Sequence, residues 1–417
     1  MTLKIERWPF LPFESRSPQE TELWWAECYV PTVAADILQD LSRSVIVSGC
    51  AGSGKSVAAT ALVRETAGRS LMIDYPPAYW PGGKYVWLPE GNHLRQMMAC
   101  AANRVRELLS SQPDLLAGLS SVKQEFLRWL IQKHLDERAL PRLADKIKSP
   151  DTQPLFNLPL KDIYATDSTP AHAKGQIEEL VDLVEGLGFE NVMVRIDLPE
   201  TNSQLEGVAD LFEWLELLQH PGFTIKAALP ETAVEGKRIG DEVRGRFSIT
   251  PLLWSREACQ IVANHHLRAA TPSQCRELAD LAVSGLLDEL AAEVEKLFGQ
   301  PTPRGWVALA AALLESYATT NKPLTNADRD KVVCAFFTKC APLRLDRIRR
   351  GVWRGPQFMA LDDQPFRFIE VLWQAGDSSA TMNALLEIAG SKENVNTLAS
   401  RVRRKIEPVP KTPIYLH

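Results

Sequence analysis

The chain has 417 residues, of which 45% are apolar and 24% are charged, a composition that suits a globular protein of two or three domains and excludes a disordered one. No apolar run reaches the roughly 18 residues that a membrane span needs, and the first residues lack the apolar core of a signal peptide. We therefore expect a cytoplasmic protein without a membrane partner. The seven cysteines are scattered and form no C-x-x-C pair, which indicates reduced thiols and argues against a zinc site.

The charge is unevenly distributed along the chain. The formal net charge is −5, yet residues 341–417 carry 12 Lys and Arg against 8 Asp and Glu. An acidic body is therefore followed by a basic end. A net negative charge argues against a protein that coats nucleic acid with its whole surface.

A glycine-rich loop follows the first apolar run, which ends at Val47. Residues 49–56 read GCAGSGKS and match the pattern G-x-x-x-x-G-K-[ST] in full. In this pattern glycines let the backbone approach phosphate, the lysine reaches the β- and γ-phosphates, and the hydroxyl binds Mg²⁺. A strand before the loop and a helix after it, ending near Gly68, would direct the helix dipole at the anion. An ordinary glycine turn is the alternative. We predict that ATP or GTP is held by Gly49, Gly52, Ser53, Gly54, Lys55, Ser56 and Val57, and that Ser56 also binds the metal.

A second buried strand ends in an acidic residue. In NVMVRIDLPE, residues 191–200, apolar residues alternate up to Asp197. We predict that Asp197 holds the water shell of Mg²⁺ and that Glu200 polarises the attacking water. The alternative for Asp197 is the surface end of an ordinary core strand.

A third apolar strand, FTIKAALPE, covers residues 223–231. Thr224, Lys226 and Glu231 are candidates for sensing the γ-phosphate, or are solvated strand residues. About 140 residues separate the glycine loop from the acidic strand, and their helical periodicity predicts a helical insertion at about residues 92–170. The histidines at 93, 134, 265 and 266 lack metal-type spacing, and we expect them to be structural.

These motifs together resemble the AAA+/STAND branch of P-loop ATPases, which includes origin-recognition, transposition and signalling ATPases. The resemblance spans about residues 30–340. FSITPLLWSREACQIVANHHL, residues 247–267, is similar to the segment in which these proteins finish the sheet and begin a helical lid, with Ser255 as a helix cap. The resemblance implies an α/β fold, ATP and Mg²⁺ as cofactors, and a homo-oligomer in the ATP state.

The resemblance also assigns roles to three arginines. PTPRGW is similar to the lid motif G-x-P-R, which implies that Arg304 contacts the nucleotide from the lid; a surface arginine that starts a helix is the alternative. Arg244 and Arg246 precede the last strand, where the family presents an arginine finger to a neighbouring subunit, although a solvated loop has the same composition. Asp197 is followed by Leu198 where AAA+ proteins carry Asp-Glu, a departure closer to the STAND pattern that implies slow turnover.

The end of the chain predicts three helices. The third places Val395, Leu398, Val402 and Ile406 on one face and polar and basic residues on the other. SRVRRKIEP resembles the recognition helix of a winged helix-turn-helix of the response-regulator type, but the closing G-x-G-Y strand of that wing is missing. The resemblance implies contacts to duplex DNA, or alternatively docking on a protein. The residues predicted to contact DNA are Asn394, Asn396, Thr397, Arg401, Arg403, Arg404 and Lys405.

The predicted architecture is an α/β P-loop NTPase with a parallel sheet core, a helical insertion, an all-α lid and a carboxyl-terminal winged helix. The expected boundaries are 1–43 for an amino-terminal segment, 44–254 for the ATPase core, 255–345 for the lid and 356–417 for the winged helix. Two functions compete: a nucleotide-controlled switch that positions a DNA-binding winged helix, and a signalling ATPase of bacterial defence that activates a separate effector protein. A transcription regulator that uses nucleotide only as a ligand is a third possibility.

Overall fold

The computed structural model describes residues 3–11, 15–80, 93–136, 138–147, 170–198, 208, 211–212, 220–235, 247–272, 274–376 and 380–416. The chain forms two compact units. The sheet unit comprises Pro31–Cys50 and Gly54–Leu253, and the helical unit comprises Met1–Val30, Ala51–Ser53 and Trp254–His417.

Fifteen helices of the described residues are numbered here in chain order. They are α1 (Pro18–Glu27), α2 (Val33–Leu38), α3 (Lys55–Glu65), α4 (His93–Ser111), α5 (Ser121–His134), α6 (Ala139–Ile147), α7 (Pro170–Gly186), α8 (Glu231–Glu235), α9 (Arg256–Ala270), α10 (Ser284–Phe298), α11 (Pro303–Thr320), α12 (Arg329–Cys340), α13 (Asp363–Ala375), α14 (Met382–Ala389) and α15 (Lys392–Ile406). Among these described segments, no helix is both long enough and apolar enough to cross a membrane.

The sheet unit is built on five parallel strands. They are β1 (Val45–Gly49), β2 (Ser70–Asp74), β3 (Asn191–Asp197), β4 (Phe223–Pro230) and β5 (Ser248–Pro251), and their order across the sheet is β2-β3-β4-β1-β5. Every residue of β1 and β4 is buried, because helices cover both faces of a sheet of this kind. This explains the unbroken apolar runs in the sequence and confirms the predicted α/β class.

The insertion contributes to the core of the sheet unit. Helices α4, α5 and α6 follow β2, and their apolar side chains belong to the same buried cluster as the strands. Phe126, Trp129, Leu130 and Ile131, which set the helical periodicity of this region, are all buried. The helices therefore stabilise the sheet as part of its core.

Helices α9–α12 form the core of the helical unit. Ser255 caps α9 as predicted, since its hydroxyl accepts the N–H of Ala258 at 3.1 Å. Thr302 caps α11 in the same way through the N–H of Gly305, at 3.2 Å. A Cβ at Gly305 would lie 2.6 Å from a methyl carbon of Val294, so glycine is needed where α11 packs against α10.

The amino-terminal segment divides between the two units at residue 30. Residues before this point pack on α9: the indole N–H of Trp24 donates to Nε2 of His266 at 3.0 Å, and the N–H of Glu6 donates to the carbonyl of Ala270 at 2.9 Å. Residues after it lead into β1. The segment predicted as residues 1–43 thus contributes to both units.

The end of the chain forms a compact module within the helical unit. Three antiparallel strands, β6 (Leu343–Asp346), β7 (Gly351–Arg354) and β8 (Gln357–Ala360), precede α13, α14 and α15. The four apolar residues predicted to face inward on α15 are buried in one cluster with Val352 of β7. These strands were not predicted from the sequence, and the core of the module includes Val352, upstream of the predicted boundary at 356.

The last ten described residues close the module without a strand. The buried carboxylate of Glu407 accepts the backbone N–H groups of Ile414, Tyr415 and Leu416 at 2.7 to 3.0 Å. The hydroxyl of Tyr415 donates to the carbonyl of Ala341 at 2.5 Å, next to the end of α12. One buried carboxylate therefore holds the stretch after α15 to the module.

The packing of His266 predicts a pH-dependent contact. Its Nε2 accepts a hydrogen bond from Trp24 and its Nδ1 faces the carbonyl of Val262, while Arg16 and His265 lie near enough to disfavour a second positive charge. Burial, the main cause, lowers the pKa of His266 from 6.5 to about 4. Between these values the unfolded chain binds a proton that the folded chain excludes.

We therefore predict that the amino-terminal segment loosens as the pH falls from about 6.5 to 4, by up to about 3 kcal/mol. Hydrogen exchange of residues 3–30, corrected for the intrinsic pH dependence of exchange, measures this. The variant His266→Gln keeps an acceptor for Trp24 and does not titrate, so its protection should vary less with pH. Equal pH dependence in both proteins would contradict the assignment.

Candidate functional site

The glycine-rich loop connects β1, which lies between β4 and β5 in the parallel sheet, to α3. Gly52 and Gly54 have φ values of +80° and +93°, a region that side-chain-bearing residues rarely adopt. Gly54 is the cap of α3 and supplies no side-chain acceptor, and the first bond into the helix is from Ala58 N–H to the carbonyl of Gly54. The N–H groups of Ser56 and Val57 therefore precede the helical ladder, where an anion binds.

Lys55 folds back over the loop that precedes it. Its Nζ donates to the carbonyl oxygens of Gly49 at 2.7 Å and Cys50 at 2.8 Å, and only 8% of the residue is exposed. A buried ammonium group and free helix N–H groups at one loop provide the positive field that a polyphosphate requires. The loop residues of this structure thus fit the nucleotide that the sequence predicts.

The tip of the loop is held by residues of the helical unit, to which residues 51–53 belong. The indole N–H of Trp254 donates to the carbonyl of Ser53 at 2.7 Å, and the N–H of Arg304 donates to the carbonyl of Gly52 at 3.2 Å. A Cβ at Gly52 would lie 2.7 Å from the Cβ of Arg304. Glycine is therefore required at position 52 both for its φ and for this contact.

The order of strands brings the acidic strand near the loop. β4 lies between β1 and β3, and Val47 and Asp197 both pair with Ala228. Since neighbouring strands lie about 4.8 Å apart, Asp197 lies about 10 Å across the sheet from β1. Its side chain is half-buried at the carboxyl end of β3, which is the edge of the sheet from which the loop rises.

The donor set of this edge suits Mg²⁺ better than a transition metal. Within the described residues, no group of three His, Cys, Asp or Glu side chains could hold a metal ion. Mg²⁺ usually keeps several waters and takes one or two carboxylates with substrate phosphates. The Ser56 hydroxyl and the Asp197 carboxylate are compatible with that pattern.

Two of the three predicted γ-phosphate sensors are wrongly placed for that role. Lys226 pairs with Val45 in the register, at the amino end of β1, whereas the loop leaves its carboxyl end. Its Nζ donates to the carbonyls of Asp40 at 2.5 Å and Arg43 at 2.6 Å, and burial lowers its pKa to about 8. Thr224 is nearer still to the start of β4. Lys226 therefore anchors the turn that precedes β1.

Glu231 remains a candidate sensor, since it directly follows β4 between the loop and Asp197. Arg304 is exposed at the start of α11 and touches the loop through its backbone and Cβ. The predicted base Glu200 and the predicted finger residues Arg244 and Arg246 lie outside the residues that the structure describes.

The predicted DNA-contacting face of α15 is largely exposed. Asn394, Asn396, Thr397, Arg401, Arg404 and Lys405 are all exposed on one helix. Ser391 caps this helix by accepting the N–H of Asn394 at 3.2 Å. Three cations in its last turn also complement the helix dipole.

Three of the predicted DNA contacts already form hydrogen bonds within the protein, and one of them is the Thr397 hydroxyl, which donates to the carbonyl of Glu393 at 3.0 Å. The Nε of Arg403, which is half-buried, donates to the carbonyl of Leu416 at 3.0 Å. The side-chain amide of Asn394 donates to the carbonyl of Ala389 at 3.0 Å. The helical periodicity of α15 did not reveal the bonds of Arg403 and Asn394, because their acceptors, the carbonyls of Leu416 and Ala389, lie outside the helix.

Comparison with known proteins yields few matches. No protein-family model matches the sequence, and no curated protein matches it. Among solved structures, the Aeropyrum pernix Orc1 protein in complex with DNA is similar over 92% of this chain and 87% of that chain, with 9% sequence identity and a TM-score of 0.40. A likeness this distant establishes neither a shared fold nor a shared function.

Variants of two buried lysines of the sheet unit distinguish a loss of nucleotide binding from a loss of structure. Lys55→Met should weaken Mg²⁺-ATP binding about 10- to 100-fold, because a hydrogen bond from a charged group contributes about 1.5–3 kcal/mol. Lys226→Met removes an ammonium group from the opposite end of the sheet, so it should leave the affinity unchanged. Titration calorimetry of both variants, at a temperature where each is folded, measures the difference. Equal losses in the two variants would contradict the site.

Proposed function

We propose that this protein is an ATP-binding switch of the P-loop class whose nucleotide state controls its self-assembly and its contact with duplex DNA. The observation that carries the proposal is the loop itself: two glycines with positive φ, the uncapped start of α3 and the buried ammonium of Lys55 converge on one concave backbone. These features together favour a nucleoside triphosphate.

Each residue of the loop has a distinct part in binding. The N–H groups of residues 54–57 donate to phosphate oxygens, and Lys55 neutralises the charge of the terminal phosphates. Ser56 and Asp197 would hold Mg²⁺, which when bound would neutralise charge on the phosphates. Arg304 approaches from the start of α11, supported by its contact with Gly52.

Hydrolysis is proposed as slow. Glu200 orients the attacking water, and a neighbouring subunit contributes Arg244 or Arg246. Since Asp197 is followed by Leu198, the base does not occupy the next position on the strand. This spacing suits a switch, which hydrolyses ATP more slowly than a motor protein does.

The nucleotide state influences the carboxyl-terminal module, β6–β8 with α13–α15, through the helical unit. The loop tip shares hydrogen bonds with Trp254 and Arg304, and α12 is joined to the module by the Tyr415 bond and by Arg354, whose guanidinium lies 5.0 Å from the ring of Phe337. These contacts support a chain of rigid contacts from the loop tip to α15.

A signalling ATPase that activates a separate effector is the second candidate. The observation that favours it is the stretch after α15, because its Leu416 carbonyl already binds Arg403. In that case α15 docks on a protein, and the trigger for assembly is a ligand other than DNA.

Glu200→Gln should spare ATP affinity and lower the rate of hydrolysis at least about 100-fold, since general-base catalysis contributes about 10²–10⁴. Phosphate release under single-turnover conditions measures the rate. Glu190→Gln is the matched control, because Glu190 is exposed and directly precedes β3, at the opposite end of the sheet from the loop. Native turnover in the Glu200 variant would reassign the base.

The proposed switch is tested by mass measurement with and without a slowly hydrolysed ATP analogue and duplex DNA. Assembly that needs both supports the DNA-linked switch. In the same assay, Arg401→Glu with Arg404→Glu should abolish a salt-dependent DNA complex, whereas Arg403→Gln should have a smaller effect because Arg403 is half-buried.

Assembly with the analogue that is indifferent to DNA would favour the signalling function. A DNA complex that survives both charge reversals on α15 would show that this helix is not the DNA-binding element. Absence of any effect of the analogue would overturn the switch itself.

A further inference from the structure

The turn between β6 and β7 exposes an apolar side chain among arginines. Asp346 and Gly351 are the last paired residues, so residues 347–350, Arg-Ile-Arg-Arg, form the turn. Ile348 is 96% exposed, more than any other large apolar residue that the structure describes. Single exposed apolar residues are common on protein surfaces. The surroundings of Ile348 therefore decide whether it belongs to a binding surface.

The backbone of this turn is fixed. Arg350 has a φ of +54°, a conformation that costs a residue other than glycine about 1–2 kcal/mol. Asp346 compensates by accepting the N–H of Arg349 at 2.9 Å and the indole N–H of Trp353 at 3.0 Å. Ile348 is therefore presented on an ordered turn, and ordering it on a partner costs little conformational entropy.

The outer face of the sheet continues this surface. Arg344, Trp353 and Phe358 are neighbours across the three strands, while Val352 on the other face is buried in the core of the module. The guanidinium of Arg349 lies 5.6 Å from the ring of Trp353, and that of Arg344 lies 6.0 Å from it. Cation–π contact orders both guanidinium groups without neutralising them.

The remaining two arginines pair with carboxylates. Arg347 donates to Glu370 at 3.0 Å, and Arg350 forms an ion pair with Asp363. Exposed pairs of this kind contribute about 0–1 kcal/mol, so a phosphate can compete for them. Residues 344–350 contain four arginines and one aspartate, and the turn is therefore strongly cationic around its apolar tip.

The turn lies close to the basic end of α15. Arg354, at the other end of β7, donates to the carbonyl of Ile406 at 3.2 Å. With a rise of about 3.4 Å per residue, β7 places the turn about 10 Å from this contact. The separation is less than one turn of duplex DNA, about 34 Å.

We propose that the arginine hairpin, residues 344–354, is a second contact for duplex DNA, which deepens the proposed function and rests on it. Arg344 and Arg349 bind backbone phosphates, and Ile348 inserts into the minor groove as an apolar wedge between base steps. The charge of the hairpin favours DNA as its occupant. An apolar pocket on a protein supplies no negative charge for the guanidinium groups of Arg344 and Arg349, whereas a duplex supplies phosphates on both sides of its groove.

The test is fluorescence anisotropy of a labelled duplex with the full chain and the ATP analogue, over a series of salt concentrations. Arg344→Gln with Arg349→Gln should weaken binding about tenfold and lower the slope of log K against log salt by about 2, since each phosphate contact contributes about 0.9. Ile348→Ser should weaken binding about fivefold and leave the slope unchanged, because no charge is removed.

Arg276→Gln with Lys322→Gln is the matched control. Both residues are exposed elsewhere in the helical unit, and the net charge changes equally, so affinity and slope should stay near those of the native chain. Hairpin variants that behave like this control would overturn the inference.

A comparison with Arg401→Gln plus Arg404→Gln on α15 separates this inference from the proposed function. If the α15 variant loses DNA binding and the hairpin variants do not, the inference is overturned and α15 remains the proposed DNA-binding element. If only the hairpin variants lose DNA binding, the inference is supported and α15 is not the DNA-binding element. Absence of DNA binding by the native chain would overturn both, and would leave an acidic protein surface as the occupant of the hairpin.

Discussion

The structure depends on a sharp reversal of the backbone between β1 and α3. A chain that leaves a fully buried central strand and enters a helix within six residues must place its N–H groups on one side, and only the positive φ of Gly52 and Gly54 allows this. The ammonium of Lys55 then returns to the carbonyls of Gly49 and Cys50. The sheet holds the ends of the loop in place. The loop in turn positions the ammonium group of Lys55 and the N–H groups of α3, which produce a positive field at the carboxyl edge of the sheet.

At the carboxyl-terminal end of the chain, buried polar groups hold the last residues in place. Residues 414–416 after α15 form no strand, and the buried carboxylate of Glu407 accepts three of their backbone N–H groups. Tyr415 and Arg354 then join the carboxyl-terminal module to α12. These buried polar groups therefore hold the module against α12, while Arg401, Arg404 and Lys405 of α15 are exposed.

The sequence predicted the elements whose local pattern is strong. The loop, the acidic strand and the capped start of α9 were visible because each combines an apolar period with a specific polar residue. Lys226 was misplaced as a sensor because composition does not give register, and register puts it at the amino end of β4. The strands β6–β8 have four residues each, too few for an alternating pattern to identify them. The contacts of Glu407 are made to backbone N–H groups, which a pattern of side chains does not show.

The central claim is that a triphosphate and its metal lie between Lys55 and Asp197. The most direct measurement is a crystal structure with a non-hydrolysable ATP analogue and Mn²⁺, whose anomalous signal locates the metal. The account predicts phosphate oxygens in contact with Lys55 Nζ and the N–H groups at the start of α3, and a metal held by Ser56 and, directly or through water, by Asp197. A nucleotide bound elsewhere, or a metal without contact to either residue, would contradict it.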